Sequence, residues 1–295
     1  MKRFCIAVLL FLLPVFIFMG GAEYVVRQIP NEYKYKNDWM DQHAEEVETL
    51  ILGSSHALDG INPDYLGENT YNLAFPGQTL KFDNYLFFRW ANCYKNLRMV
   101  ILPISYFSFF FLDMDQIRET YYSLYMAYPS STIELEMLCY GPLKSKIEQY
   151  LEEKSNNYQT NGWARKSLSD KDMVNWKKDY ITASVVRKQT VDSWDCIIPN
   201  YCLISEIASY CKMHGIKFVL VTLPHTKEYN NYLRKKQLDK TMSLILSLQH
   251  QFSLEFFDYR EDDRFVDDDF FDESHLSDVG AEKFTKILMY DLQHK

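Results

Sequence analysis

Five short apolar runs punctuate the chain: VETLILG (47–53), TYNLAF (70–75), RMVILPIS (98–105), IKFVLVTLP (216–224) and LEFFDY (254–259). Each has the length of a strand, and they run on as apolar residues rather than alternating with polar ones. That is the pattern of strands buried on both faces. Between and after them lie stretches with helical spacing of apolar residues: 82–97, 202–215, 240–252 and 277–293, with Gly215 suited to a C-terminal cap and Ser277 to an N-cap. Strands alternating with helices predict an α/β protein, a three-layer α/β/α sandwich around a parallel sheet. Functional groups in such sheets sit at the carboxyl ends of the strands. Residues 107–200 break the rhythm. Rich in Tyr, Lys, Glu and Ser, with helical pieces such as PLKSKIEQYLEEKS, they read as a helical insertion between two strands that caps the sheet or covers its edge.

The N-terminus follows different rules. Lys2 and Arg3 precede nineteen residues, Phe4 to Ala22, that carry no charge. As a helix they measure roughly 28 Å, close to the thickness of a bilayer's hydrocarbon core. An uncleaved signal anchor over 1–22 fits this length better, with Lys2 and Arg3 held on the cytoplasmic side. A cleaved signal peptide competes, because Gly20, Gly21 and Ala22 offer small residues before a cut. The first reading gives a single pass through the cytoplasmic membrane with the main domain outside the cytoplasm; the second gives a secreted protein. Residues 23–46 are polar, a stalk leading into a helix, and the main domain is expected over 47–295.

Net charge is −8 and no Lys/Arg stripe appears, which argues against a nucleic-acid partner. The six cysteines include no Cys-x-x-Cys pair, so neither a zinc knuckle nor a redox pair is signalled. Cys196 and Cys202 are close enough to consider as a disulfide, with buried free thiols the competing reading. The acidic run Glu261–Asp269 lacks the spacing and glycine of an EF-hand and reads as a solvated loop. The aromatic run 106–111 fits either the core or a membrane-facing surface.

Two stretches carry chemistry. Ser55 follows the first predicted strand by two residues, where Gly53 permits a sharp turn and the hydroxyl would emerge at the sheet's carboxyl edge. Such a serine also serves as a helix cap, and either Ser54 or Ser55 suits that role. Near the other end, FFDESHLSDVG (270–280) places Asp272 three residues before His275. A serine hydroxyl needs a base to take its proton, and the base needs an acceptor on its second nitrogen to hold one tautomer. Asp-x-x-His supplies both from one turn, although the same residues also suit an acidic loop.

Taken together, GSSHA after the first strand, Gly77 in NLAFPGQT after the second, and DESHLSDVGA before the last helix resemble the SGNH/GDSL hydrolase superfamily, in particular its membrane-anchored cell-envelope acyl-transfer variants. The resemblance covers roughly 47–106 and 202–293. It implies a flavodoxin-like sheet, Ser55 as nucleophile, His275 as base, Asp272 as its orienting acid, and an oxyanion hole built from the N–H groups of Ser55 and Gly77. Ser54 stands where the family has Asp. The family's third block, Gly-x-Asn-Asp, is absent: LPISYFSF follows the third strand, leaving Ser105 and Tyr106 nearest to the missing Asn. Candidate substrate-lining residues are His56, Ser105, Tyr106 and His225, with Tyr229 beyond, each weighed against packing or plain loop roles. The resemblance implies no cofactor and no metal. It implies an ester-bearing substrate, either small or an acylated envelope or extracellular glycan, and attachment to a membrane through the N-terminal helix. It names no protein partner. A catalytically degenerate member that binds a glycan or an assembly partner is the alternative expectation.

Overall fold

A computed structural model describes residues 1–138, 160–167, 179–192 and 194–294. The predicted helical piece at 142–155 and Cys139 lie outside the described residues. Five parallel strands, β1 (Thr49–Ile51), β2 (Thr70–Asn72), β3 (Met99–Pro103), β4 (Lys217–Thr222) and β5 (Glu255–Asp258), form one sheet in the order β2-β1-β3-β4-β5. This is the flavodoxin-like order. All four neighbouring pairs are parallel, so each connection must cross back over the sheet, and helices provide the crossings.

The helices among the described residues are α1 (Lys2–Val26), α2 (Glu32–His43), α3 (Ser55–Gly60), α4 (Leu80–Arg89), α5 (Gln116–Tyr125), α6 (Asp179–Gln189), α7 (Ile197–His214), α8 (Lys227–Tyr232), α9 (Lys235–Phe252) and α10 (Asp278–His294). Register places Ile51 beside Ile101, Ile101 beside Val219, and Val221 beside Phe257. These residues face one side of the sheet and form a core with Ala57 and Leu58 of α3 and Phe284 and Leu288 of α10. Their neighbours Leu50, Val100, Leu102 and Leu220 are equally buried. Strand alternation turns them to the other side. There α4 packs on α7, and α7 on β4 and α9. Both faces are covered, which is why the strands read as unbroken apolar runs.

The strands are shorter than the apolar runs that signal them. β1 ends at Ile51, and Leu52 and Gly53 belong to the turn that delivers Ser55. Helix α4 stops at Arg89 rather than 97, and α7 begins at Ile197, five residues before its expected start. Gly215 caps α7 in the left-handed conformation (φ +68°), the role its position predicted. Edge strand β2 is buried, covered at its carboxyl end by residues 160–167: Asn72 N–H donates to the Asn161 carbonyl (2.9 Å), and the Trp163 indole donates to the Asp59 carbonyl (2.9 Å).

The chain divides into two compact units, Met1–Trp39 with Asp115–Tyr158, and Met40–Met114 with Gln159–Lys295. The sheet lies wholly in the second. In the first, α1 is 25 residues long with a mean hydropathy of 2.6 over its most apolar window, long and apolar enough to cross a membrane. At its last turn Glu23 accepts hydrogen bonds from the N–H groups of Glu136 (2.9 Å) and Met137 (3.0 Å), and pairs with Arg27. Tyr33 stacks on Tyr121 with ring centres 5.1 Å apart. Cys5, Cys93, Cys196, Cys202 and Cys211 are all free thiols. Of these only Cys211 is buried, while Cys93 and Cys202 are exposed, so burial does not explain the thiols as a group.

Candidate active site

The turn after β1 is shaped by Gly53. Its φ of +120° suits glycine, and a Cβ there would lie 3.0 Å from Ala57 Cβ and 3.3 Å from Pro103 Cδ. The tight turn lets α3 begin at Ser55. Ser54 occupies the N-cap position but makes no capping bond through its side chain. The Ser55 N–H, in the first turn of a helix, has no intrahelical acceptor.

The Ser55 hydroxyl instead meets the other end of the chain. Ser55 Oγ lies 2.8 Å from Nε2 of His275, 220 positions away in sequence. His275 stands in the turn before α10. Its Nδ1 lies 2.9 Å from each carboxylate oxygen of Asp272, whose Oδ1 also accepts the backbone N–H groups of Ser274 (3.0 Å) and His275 (2.8 Å). Burial opposes ionisation of Asp272, but the bond and charge of His275, with the Ser274 N–H, outweigh it. The carboxyl is held well below the usual carboxylate range. An ionised carboxylate can only accept, so the Nδ1 proton belongs to His275, and Nε2 is left with its lone pair towards Ser55. His275 and Asp272 stay 19% and 27% exposed, so the group is open to a reactant.

Two more imidazoles pack beside this one. The His56 ring centre is 4.8 Å from that of His275 and 5.4 Å from that of His225. Burial, followed by the charges of His275 and His225, holds His56 well below its usual value. Burial, with His275 and Arg260 nearby, holds His225 down at about 4. Both are neutral at pH 7. Ser105 Oγ bonds to His56 Nδ1 (2.8 Å), so these two expected lining residues form a buried pair. Tyr106 goes elsewhere: its hydroxyl bonds to Thr190 (2.8 Å), and its ring packs with Val186 and Tyr229. Tyr229 bonds to Gln189 (2.5 Å) and packs against His225 with the rings tilted 58° and their centres 4.6 Å apart. Gly77 lies exposed on the loop after β2, and that loop is joined to the Ser55 turn by the Phe75 N–H, which donates to the Gly53 carbonyl (3.2 Å).

Beside His225 opens a cavity of about 940 Å³ lined by Glu228, Glu261, Asp262, Asp263, Asp267 and Asp268. Within the acidic run Glu261, Asp263, Asp267 and Asp268 are exposed, as a solvated loop requires, and Asp269 departs from it. Asp269 is buried and pairs with Lys283 (2.6 Å), while its neighbours line this cavity. Among the described residues no group of His, Cys, Asp and Glu is arranged to hold a metal ion.

Two residues near the site were absent from the sequence reading. Lys166 Nζ pairs with Asp59 (2.7 Å), and its charge acts on both Asp272 and His56. No motif marks it, since it reaches the site through the strap at 160–167. Asp83, buried on α4, accepts the Gly53 N–H (2.7 Å) and the Gln78 side-chain amide (2.5 Å). Burial, against those two bonds, pushes it up to about 7. A signal for Asp83 was present: it falls on the same helical face as Leu80, Leu86 and Phe87, where a carboxylate is out of place.

No family model and no curated protein sequence matches the chain. Among solved structures it is similar to a lipase/acylhydrolase from Enterococcus faecalis, with 10% identity, 84% of this chain and 96% of that one covered, and a TM-score of 0.40. It is also similar to a GDSL-like lipase from Bacteroides thetaiotaomicron VPI-5482, with 12% identity, 89% and 100% coverage, and a TM-score of 0.41.

Proposed function

We propose that the chain is a serine esterase or O-acyltransferase of the SGNH/GDSL kind. Ser55 Oγ attacks an ester carbonyl carbon while His275 Nε2 takes its proton, and the carbonyl electrons move onto oxygen. The N–H groups of Ser55 and Gly77 hold that oxyanion, and Asp272 stabilises the imidazolium that forms. Collapse of the intermediate breaks the ester bond, and the leaving alcohol carries away the proton from His275. The acyl group then rests on Ser55 until water or a sugar hydroxyl accepts it. The observation that carries this reading is the 2.8 Å contact from Ser55 Oγ to His275 Nε2, with Asp272 on the opposite nitrogen. That spacing favours chemistry over a protein that only binds a glycan or a partner, for which no proton need be shared.

No Asn follows β3, and Ser105 is engaged with His56. One oxyanion donor fewer costs about 100- to 1,000-fold in rate, which suits slow hydrolysis or transfer to a bound acceptor. The substrate class we infer is an acylated envelope or extracellular glycan. Helix α1 supports attachment to the cytoplasmic membrane, with Lys2 and Arg3 inside and the sheet domain outside.

The test is labelling by a fluorophosphonate probe, with the modified peptide mapped by mass spectrometry, alongside hydrolysis of p-nitrophenyl acetate. Ser55 should carry the label, and Ser55→Ala should lose both label and at least about 1,000-fold in activity. Asp272→Asn, which spoils the tautomer of His275, should cost about 10,000-fold in kcat with little change in KM. Labelling of Ser55→Ala as strong as the parent's ends the proposal.

A further inference from the structure

Asp83 is a buried carboxylate, 2% exposed, on the apolar face of α4. Such a group is costly to bury unless its oxygens are used. Neither of the bonds described for its side chain serves its own helix. One carboxyl oxygen, Oδ1, accepts the N–H of Gly53 from the turn after β1 and the side-chain amide of Gln78 from the loop after β2. Gly53 is held from its other side as well, since its carbonyl accepts the Phe75 N–H. Both peptide groups of Gly53 are thus fixed, two residues before Ser55. Gln78, itself buried, is the residue after Gly77.

We propose that Asp83 is a positioning residue that ties the Ser55 turn to the Gly77 loop through a single oxygen, so that the nucleophile and the oxyanion donors keep one fixed spacing. This rests on the reading of Ser55 as the nucleophile. Asp83 touches no reactant. Its effect is to prevent the two loops from moving independently as the tetrahedral oxyanion develops, which is where acyl transfer gains most from preorganisation. Either protonation state of the carboxyl leaves an oxygen free to accept, so acceptor geometry rather than charge is what the role requires.

Three variants test it. Asp83→Asn keeps a carbonyl oxygen in place of Oδ1. Asp83→Leu keeps the branched shape, though with greater bulk, and loses the acceptor. Gln78→Met removes one of the two donors without touching the carboxyl. For each, kcat and KM on p-nitrophenyl acetate, the rate of fluorophosphonate labelling of Ser55, and the thermal midpoint are measured below the melting range. Asp83→Leu should lose about 10- to 100-fold in kcat, with KM changed less than about threefold and labelling slowed to match. Gln78→Met should fall between it and the parent, and Asp83→Asn should restore activity to within about threefold. Labelling of Asp83→Leu at the parental rate overturns the positioning role, as does an Asp83→Asn loss equal to that of Asp83→Leu. Should Asp83→Leu fail to fold, a fully active Gln78→Met overturns the role by itself. A parent that never labels at Ser55 overturns the nucleophile reading and this proposal with it, whereas a labelling parent with indifferent variants overturns this proposal alone.

Discussion

Three imidazoles meet near Ser55, and their surroundings give them different work. His275 is pinned by Asp272 and open to solvent, while His56 and His225 are buried and kept neutral. A buried histidine with a depressed pKa binds fewer protons folded than unfolded between about 4 and its ordinary 6.5. The stability it contributes is therefore present above 6.5 and is lost as pH falls towards 4, on the order of 3 kcal/mol for His225. Asp83 works with the opposite sign. Its folded pKa, about 7, exceeds the ordinary 3.8, so its contribution is present below 3.8 and is lost as pH rises to about 7. Thermal midpoints measured across pH 4–7 should show a shallower acid-side slope for His225→Gln than for the parent, with His56 adding to the parental slope and Asp83 opposing it. An identical slope would remove His225 from the explanation. At this scale the meeting of Ser55, His275 and Asp272 was legible because short motifs carry them. Ser105's bond to His56 and Tyr106's turn away to Thr190 were not, because neighbouring residues after a strand give no sign of which way each side chain points.

At the scale of elements, each strand was legible as an apolar run but its ends were not. Leu52 continues the run of β1 and its N–H still donates to the Ile101 carbonyl (3.0 Å), but the paired positions end at Ile51. Helix α7 starts early because Pro199 sits in its first turn, where a missing N–H costs no hydrogen bond, so Ile197 and Ile198 join the helix ahead of it. A second glycine matters here for space rather than conformation. A Cβ on Gly280 in α10 would sit 1.8 Å from the Asp269 carbonyl oxygen, the same oxygen that accepts the Ser277 N–H. The acidic turn thus rests directly on the first turn of α10, with Lys283 holding Asp269 alongside. Gly280→Ala must push the two apart, and a loss of about 3 kcal/mol is expected in urea unfolding. A variant as stable as the parent would mean that this close approach does not persist in solution.

For the molecule as a whole, the strand order explains where the candidate site lies. Chain connections leave β1 towards β2 on one side, and the sheet continues through β3 on the other. Ser55 emerges at the carboxyl end of β1, at this change of direction, where open α/β sheets leave a crevice. Alternating strands and helices were enough to predict this layering. The partition of 107–200 was not readable: residues from Asp115 belong with the N-terminal helix, while 160–167 covers β2. Tyrosines that stack, such as Tyr33 on Tyr121, carry no periodicity that names their partner.

The link between Glu23 and the N–H groups of Glu136 and Met137 bears on anyone preparing a form of this protein without its apolar N-terminal helix. Hydropathy alone invites a cut anywhere before the first soluble helix, yet the last turn of α1 already belongs to a folded unit. A chain starting at Glu23 keeps the carboxylate that closes those two amides. One starting at Gln28 loses those two bonds and the one Arg27 makes to the Glu134 carbonyl. Limited trypsin digestion should separate the two: the longer chain should resist cleavage at Arg118, and the shorter one should be nicked there early. Equal resistance would show that α1 can be removed to its last residue without loosening the unit it packs in.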